Sequence, residues 1–140
     1  MKLSNLFSFL AGAALVLGIT TVSQSRAQSP NHVFELRMYH TPDGKMDALN
    51  TRFRDHTISI FNRLNMKSVG YFVATDAPNA GNLLIYVLEH PSRAEADKNW
   101  AAFNADPEWQ KVRKESEANG ALTTKIERFF MNPTDYSPLK

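Results

Sequence analysis

One amphipathic segment, Gly44 to Leu64, constrains the fold of this chain more than any other part of the sequence. Its apolar side chains fall at intervals of three, four or seven residues, which places them on one stripe of an α-helix. They are Met46, Leu49, Phe53, Ile60 and Leu64. His56 falls on the same stripe, whereas most of the charged residues fall on other faces, including Arg52, Arg54, Asp55 and Arg63. The pattern predicts a helix that aims an imidazole into a packed interface.

Four other segments have the character of β-strands. His32 to His40 alternates with a period of two, and Leu122 to Met131 alternates again. Met66 to Thr75 is rich in β-branched and aromatic residues, and Gly70 within it indicates a bulge or a close backbone approach. Leu83 to Glu89 is apolar on both faces, which predicts a central, buried strand.

A second helical region lies between the third and fourth strands. Ser92 and Glu95 have the spacing of a capping box, and Asp106 with Pro107 restarts a helix that Gly120 ends. The order β-α-β-β-α(α)-β predicts an α+β, ferredoxin-like βαββαβ fold, with an antiparallel four-stranded sheet and both helices on one face. The other face keeps apolar side chains without a cover, so a second copy is expected to pack there as a homodimer.

The first 27 residues predict a secretory signal peptide. Lys2 is followed by an uncharged run from Leu6 to Val22, and small residues flank Arg26 before the expected cleavage after Ala27. The alternative is an uncleaved membrane anchor, since the run approaches the roughly 20 residues of a span. With cleavage, residues 28–140 form one exported domain, periplasmic or secreted, with no stable membrane insertion.

Composition narrows the partners of the mature domain. Removing Lys2 and Arg26 from the 16 basic residues leaves 14, which equals the 14 acidic residues. A neutral chain without a basic cluster gives no reason to expect nucleic acid as a partner. The chain has no cysteine, so its stability must come from the core instead of disulfides.

An ordered set of short motifs runs through most of the mature chain. The set is Glu35-Leu36-Arg37-Met38-Tyr39, Gly44-Lys45, Phe53-Arg54-Asp55-His56, Gly70-Tyr71-Phe72, Trp100-Ala101-Ala102-Phe103, Asp106-Pro107-Glu108-Trp109 and Pro133-Thr134-Asp135-Tyr136-Ser137-Pro138. Together these motifs resemble the NIPSNAP family, from about Val33 to Pro138. The resemblance implies a dimeric α+β barrel, in which two ferredoxin-like sheets close on each other. Animal members are associated with mitochondria and vesicle trafficking, a role that an exported chain does not inherit.

The candidate site residues are polar groups on strands and helices that would enclose a pocket. His56 is the candidate base, because the unperturbed pKa of an imidazole lies near 6.5. Arg37 and Tyr39 are candidate polarising groups, and Arg37 is also suited to hold a carboxylate or an enolate oxygen. The candidate ligand-binding residues are Trp100, Trp109, Tyr71 and Tyr86. The alternative for His56 and for both tryptophans is a packing role in the core.

Other kinds of site have little support. The four histidines include no pair at metal-ligand spacing, so no metal site is predicted. No cofactor is expected, and haem ligation by His56 is the alternative. Neither a nucleophile elbow nor a glycine-rich phosphate loop occurs.

Three functions remain open from the sequence. The preferred one is a homodimer that binds a small, mostly apolar ligand or a protein partner. The second is a cofactor-independent oxygenase or isomerase-like enzyme with His56 as its base, for which the wider barrel superfamily offers only analogy of fold. The third is a purely structural or interaction module, in which an extended arm from about Asn132 to Pro138 crosses to the partner subunit.

Overall fold

A computed structural model describes residues 32–139, so the predicted signal peptide and its cleavage site lie outside the described residues. The elements are β1 (Val33–His40), α1 (Met46–Arg52), a π-helical turn (Phe53–Thr57), α2 (Ile58–Arg63), β2 (Lys67–Val73), β3 (Leu83–His90), α3 (Arg93–Ala105), α4 (Pro107–Ser116) and β4 (Lys125–Met131). The strands form one sheet in the order β2-β3-β1-β4, and every neighbouring pair is antiparallel. This confirms the predicted α+β, ferredoxin-like fold with a four-stranded antiparallel sheet.

Alternation along the strands divides the sheet into two faces. The helix-covered face carries the side chains of Glu35, Arg37 and Tyr39 from β1, and its aromatic core forms where Tyr39 and Tyr86 meet Phe53 from the helix layer. The open face carries the alternate residues. Its apolar members include Phe34, Leu36, Met38, Val69, Phe72, Ile85, Val87, Phe129 and Met131.

The starts of α3 and α4 follow the signals in the sequence, whereas α4 ends at Ser116, short of the predicted stop at Gly120. The Ser92 side chain accepts a hydrogen bond from the Glu95 backbone N–H, and the Asp106 side chain accepts one from the Trp109 N–H. Both contacts satisfy backbone donors that a helix start otherwise leaves free. In β2 the pairing shifts register between Ser68 and Gly70, which confirms the bulge indicated by Gly70.

The predicted helix from Gly44 to Leu64 is interrupted by the π-helical turn Phe53–Thr57. A π-turn takes one residue more than an α-turn, so it displaces the helical register. The Thr57 hydroxyl, which donates to the Arg52 carbonyl at 3.2 Å, lies inside the turn. Arg54, Asp55 and His56 are consecutive and all exposed, between buried Phe53 and buried Thr57.

Two predictions for this helix are therefore wrong. His56 does not lie on the buried stripe, because the wider turn carries it to the surface. Arg52, predicted on a solvated face, is only 4% exposed. The extra residue explains the error for His56, because a regular helical period cannot describe a segment that contains it. Arg52 precedes the turn, and its burial has a separate cause, since it donates a hydrogen bond to Glu117 and its guanidinium lies against the Trp109 ring.

The chain after β4 turns back over its own sheet. Pro133, Ser137 and Leu139 line a cavity of about 300 Å³ together with Phe34 and Val69 of the open face. The predicted arm from about Asn132 therefore lies against the open face of its own subunit. Within residues 32–139 no helix is long and apolar enough to cross a bilayer.

Candidate functional site

A buried carboxylate lies at the centre of the helix-covered face. Glu35 is fully buried, and its Oε2 accepts hydrogen bonds from Trp100 Nε1 at 2.6 Å and from His90 Nε2 at 3.0 Å. Its Oε1 accepts a further bond from Arg37 at 2.9 Å. Burial alone would raise the pKa of Glu35, but the hydrogen bonds from His90 and Trp100 and the charge of Arg37 outweigh it and lower the pKa.

Because Glu35 is the acceptor, its contact with His90 shows which ring nitrogen of His90 carries a hydrogen. An ionised carboxylate has no proton to give, so His90 Nε2 must carry the hydrogen of the contact. His90 Nδ1 is buried and has no hydrogen-bond partner among the described residues. A lone pair on Nδ1 is less costly to bury unpaired than an N–H, which favours the neutral Nε2–H tautomer.

Arg37 links this buried cluster to a pocket. Its guanidinium carbon lies 3.9 Å from the centre of the Trp100 ring, a stacked cation–π contact. Burial disfavours the charged form of Arg37, but the neighbouring Tyr39, Tyr86 and Glu35 hold its pKa above the usual value. The Arg37 side chain therefore stays charged, with its position set by Glu35 on one side and Trp100 on the other.

Two tyrosine hydroxyls lie next to Arg37. The Tyr86 hydroxyl, which is fully buried, donates to the Tyr39 hydroxyl at 3.0 Å. Burial raises the pKa of Tyr86 well above its usual value, so this phenol stays protonated. Tyr39 lines the adjoining pocket, and its own hydroxyl hydrogen remains available to donate there.

The pocket itself, called here the arginine pocket, is a cavity of about 250 Å³ between the helices α3 and α4 and the strands β1 and β4. Its aromatic lining consists of Tyr39, Trp100, Phe103 and Trp109. The remaining lining residues are Arg37, Arg52, Asn104, Arg113, Glu117, Thr123, Ile126 and Arg128. Apolar walls with a few polar groups are typical of a small-molecule site.

The charged side chains of the pocket are largely positive. Glu117 accepts hydrogen bonds from Arg52 at 2.9 Å and from Arg113 at 3.3 Å, so one carboxylate serves two guanidinium groups. Arg52 also stacks on Trp109, with 5.1 Å between its guanidinium carbon and the ring centre. Arg128 makes no ion pair within residues 32–139. The pocket therefore holds more positive than negative charge.

Four of the seven predicted site residues line one pocket, and the other three lie outside its lining. Arg37, Tyr39, Trp100 and Trp109 all line the arginine pocket. Tyr71 and Tyr86 stack on each other in the core, with ring centres 5.5 Å apart, and do not line that pocket.

His56 lies elsewhere. It lines a separate groove of about 370 Å³ between the first helix and α4, together with Thr51, Val112 and Glu115. Arg52 borders both this groove and the arginine pocket. The structure does not bring His56 into one cavity with Arg37 and Tyr39, the groups it was predicted to act with.

Several residues of the site are missing from the sequence-based prediction. Glu35 is a charged residue between apolar neighbours on a strand, and that signal alone does not distinguish a buried carboxylate from a solvated one. Arg128 lies directly opposite Arg37 in the β1–β4 pairing, a register that a single sequence does not reveal. Among the described residues no three histidine or acidic side chains are placed to hold a metal ion.

Comparison with known proteins relates this chain to a protein family. The NIPSNAP family model matches residues 34–138. A NIPSNAP family protein of Agrobacterium tumefaciens is 25% identical, with a TM-score of 0.68, over 78% of this chain and 99% of that chain. A second A. tumefaciens NIPSNAP protein, of unknown function, is 23% identical, with a TM-score of 0.69, over 80% of this chain and 96% of its own.

A more distant neighbour shares the fold alone. It is a monooxygenase of Streptomyces coelicolor solved with nanaomycin D, 13% identical, with a TM-score of 0.52, over 77% of this chain and 92% of that chain. No curated protein matches the sequence. The family model spans nearly all the described residues, and the solved NIPSNAP structures share the fold. The chain therefore belongs to the NIPSNAP family.

Proposed function

We propose that this chain is an exported, homodimeric NIPSNAP protein that binds a small organic molecule in the arginine pocket. The observation that carries the proposal is the convergence of Arg37, Tyr39, Trp100 and Trp109 on one cavity between the helix layer and the sheet. These side chains come from three separate elements, and Glu35 holds two of them by direct hydrogen bonds. Such second-layer support is typical of a binding site, in which lining groups must keep their positions.

The open face supports the homodimer. Phe72 is 61% exposed and Phe129 is 52% exposed, on the two edge strands of an open face whose central side chains are apolar. Exposed apolar patches of this kind mark protein interfaces. A second copy with the same face would cover them symmetrically, as in the barrels that related folds form. The uncharged run between Leu6 and Val22 supports export.

Catalysis by His56 receives no comparable support. The imidazole is exposed, and the groove that it lines contains neither Arg37 nor Tyr39. A general base must lie within hydrogen-bond reach of the proton it removes. Ligand binding is therefore the function that the arrangement favours.

Native mass spectrometry of the purified exported protein tests these three parts together. We expect a dimer mass, an N-terminus at Gln28, and a small molecule retained from a mixture of single-ring organic compounds. The substitution Ile126→Trp places an indole at the wall of the pocket and should abolish retention without changing the dimer mass. The control Ala121→Trp, at an exposed residue outside the lining, should retain the compound. Equal retention by both variants would place binding outside the arginine pocket.

A further inference from the structure

We infer that the ligand of the arginine pocket is a small planar carboxylate with a single ring. The inference rests on the proposed function and specifies its ligand class. It follows from three features of the pocket, which are its surplus of positive charge, its aromatic walls and its size. None of these alone identifies a carboxylate, but together they exclude most alternatives.

The surplus of positive charge follows from the acidic partners that the lining arginines have. Four arginines line the pocket, and Glu117 is the only acidic side chain among the lining residues. Glu35, which lies outside the lining, is the counter-charge of Arg37. Glu117 is the counter-charge of both Arg52 and Arg113. Arg128 lies opposite Arg37 across the β1–β4 pairing and forms no ion pair within the described chain. An anionic group bound in the pocket would therefore meet a guanidinium that has no counter-charge among the described residues.

The lining also offers hydrogen-bond donors to an acceptor. The side chains of Arg37 and Arg52 both line the pocket. Their Nε atoms are buried and have no hydrogen-bond partner among the described residues, so the terminal guanidinium nitrogens are the atoms that can meet a ligand. The Tyr39 hydroxyl adds a neutral donor on the same wall.

The walls and the volume define the rest of the ligand. Trp100 and Trp109 present aromatic surface, and Phe103 packs on Trp109 with 4.4 Å between ring centres. The cavity of about 250 Å³ lies just below the roughly 300–1,000 Å³ of most small-molecule pockets, which favours a small ligand. A single ring with one carboxylate fits within that volume. Arginine forks match the two oxygens of a carboxylate.

Intrinsic fluorescence provides a direct test, because the chain has two tryptophans and both line this pocket. The full mature protein is titrated with benzoate, with its neutral isostere benzamide, and with inorganic phosphate. We expect saturable quenching by benzoate, with an affinity at least tenfold higher than for benzamide, and no competition from phosphate at equal concentration. The fold-difference reflects a charge-assisted hydrogen bond that benzamide does not make.

Two matched variants test whether the Arg128 guanidinium is the charge that binds the carboxylate. Arg128→Gln should weaken benzoate binding about tenfold and leave benzamide binding unchanged. Arg128 is exposed, so the variant is expected to fold, and thermal unfolding checks this. Arg54→Gln removes the same charge from an exposed site outside the pocket lining and should bind benzoate normally.

The outcomes separate the two proposals. Equal affinities for benzoate and benzamide would overturn the carboxylate assignment and leave small-molecule binding standing. Phosphate that binds as well as benzoate would replace the planar carboxylate by anions in general. No saturable response to any ring compound would contradict both the ligand class and the proposed binding site.

Discussion

The buried side chain of Glu35 has several roles. It accepts hydrogen bonds from Trp100, His90 and Arg37, which lie on three different elements. Two of these donors also line the arginine pocket. The negative charge of Glu35 therefore contributes both to the stability of the fold and to the shape of the site.

The substitution Glu35→Gln tests this residue. A glutamine keeps the size of the side chain but leaves the Arg37 charge buried without its counter-charge, so the unfolding free energy at neutral pH should fall by about 3 kcal/mol. Urea unfolding measures the change. Glu115→Gln provides the control, because Glu115 is 65% exposed and its loss should cost less than about 1 kcal/mol. Equal effects of the two substitutions would contradict the central role of Glu35.

The pH dependence of stability should also differ between wild type and Glu35→Gln. The pKa of Glu35 is lowered in the folded protein from its ordinary value of 4.5. The unfolded chain therefore takes up a proton first as the pH falls, and the stabilisation by Glu35 is complete above pH 4.5 and is lost as the pH falls through the folded pKa. Unfolding free energies measured from neutral pH into the acid range should differ less and less between the two proteins as the pH falls below 4.5. A constant difference across this range would show that charge is not the cause.

At the scale of elements, the periodicity of the sequence predicted the strands and helices but not the π-helical turn. The four strands, the bulge at Gly70 and the starts of α3 and α4 all follow local signals in the sequence, and the structure confirms them. The turn Phe53–Thr57 contains neither proline nor glycine to indicate it. The position of His56 was therefore predicted wrongly because no residue in the turn signals the extra residue. The helical period assumed for the segment was itself correct on either side of the turn.

Deletion of one residue tests whether the turn acts as an insertion in a helix. Removing the exposed Asp55 should convert the turn into a regular α-helical turn, with the residues on either side still facing the core. The unfolding free energy should change by no more than about 1 kcal/mol. Circular dichroism and urea unfolding give the measurement.

A matched deletion in α3 should behave differently. Lys98 is also exposed, but it lies in an uninterrupted helix just before Trp100 and Phe103. Its removal rotates both side chains by about 100° around the helix axis, out of the core. We expect that variant not to fold. Similar behaviour of the two deletions would argue against the turn as a tolerated insertion.

At the scale of the whole molecule, the open face governs assembly. Phe129→Glu places a charge on the surface that two subunits would share, and should convert the dimer into a monomer. Light scattering after size-exclusion chromatography measures the mass. Ile126→Glu is the control, because Ile126 is 47% exposed on the same strand but on the helix-covered face. A dimer that survives Phe129→Glu would place the interface elsewhere.

The site, unlike the fold, depends on contacts between distant parts of the chain. Arg37, Tyr39, Trp100 and Trp109 were predictable as pocket candidates because each places a polar or aromatic group on a predicted strand or helix, although the sequence left open which sheet face carries Arg37 and Tyr39. Arg128 and Glu117 were not, because their place beside the others depends on strand register and on how α4 lies over the sheet. Neither is encoded in local periodicity.

The pairing of β1 with β4 has a mechanical consequence. Phe34, near the start of β1, lies opposite Met131 at the end of β4, so β1 begins and β4 finishes at the same end of the sheet. A force that pulls the two ends apart would open this pairing one residue pair after another, from Phe34 and Met131 inward to His40 and Lys125. Peeling of this kind loads few hydrogen bonds at a time, whereas shearing would load them all together. We expect the domain to yield at low force along this axis, despite its densely packed aromatic core.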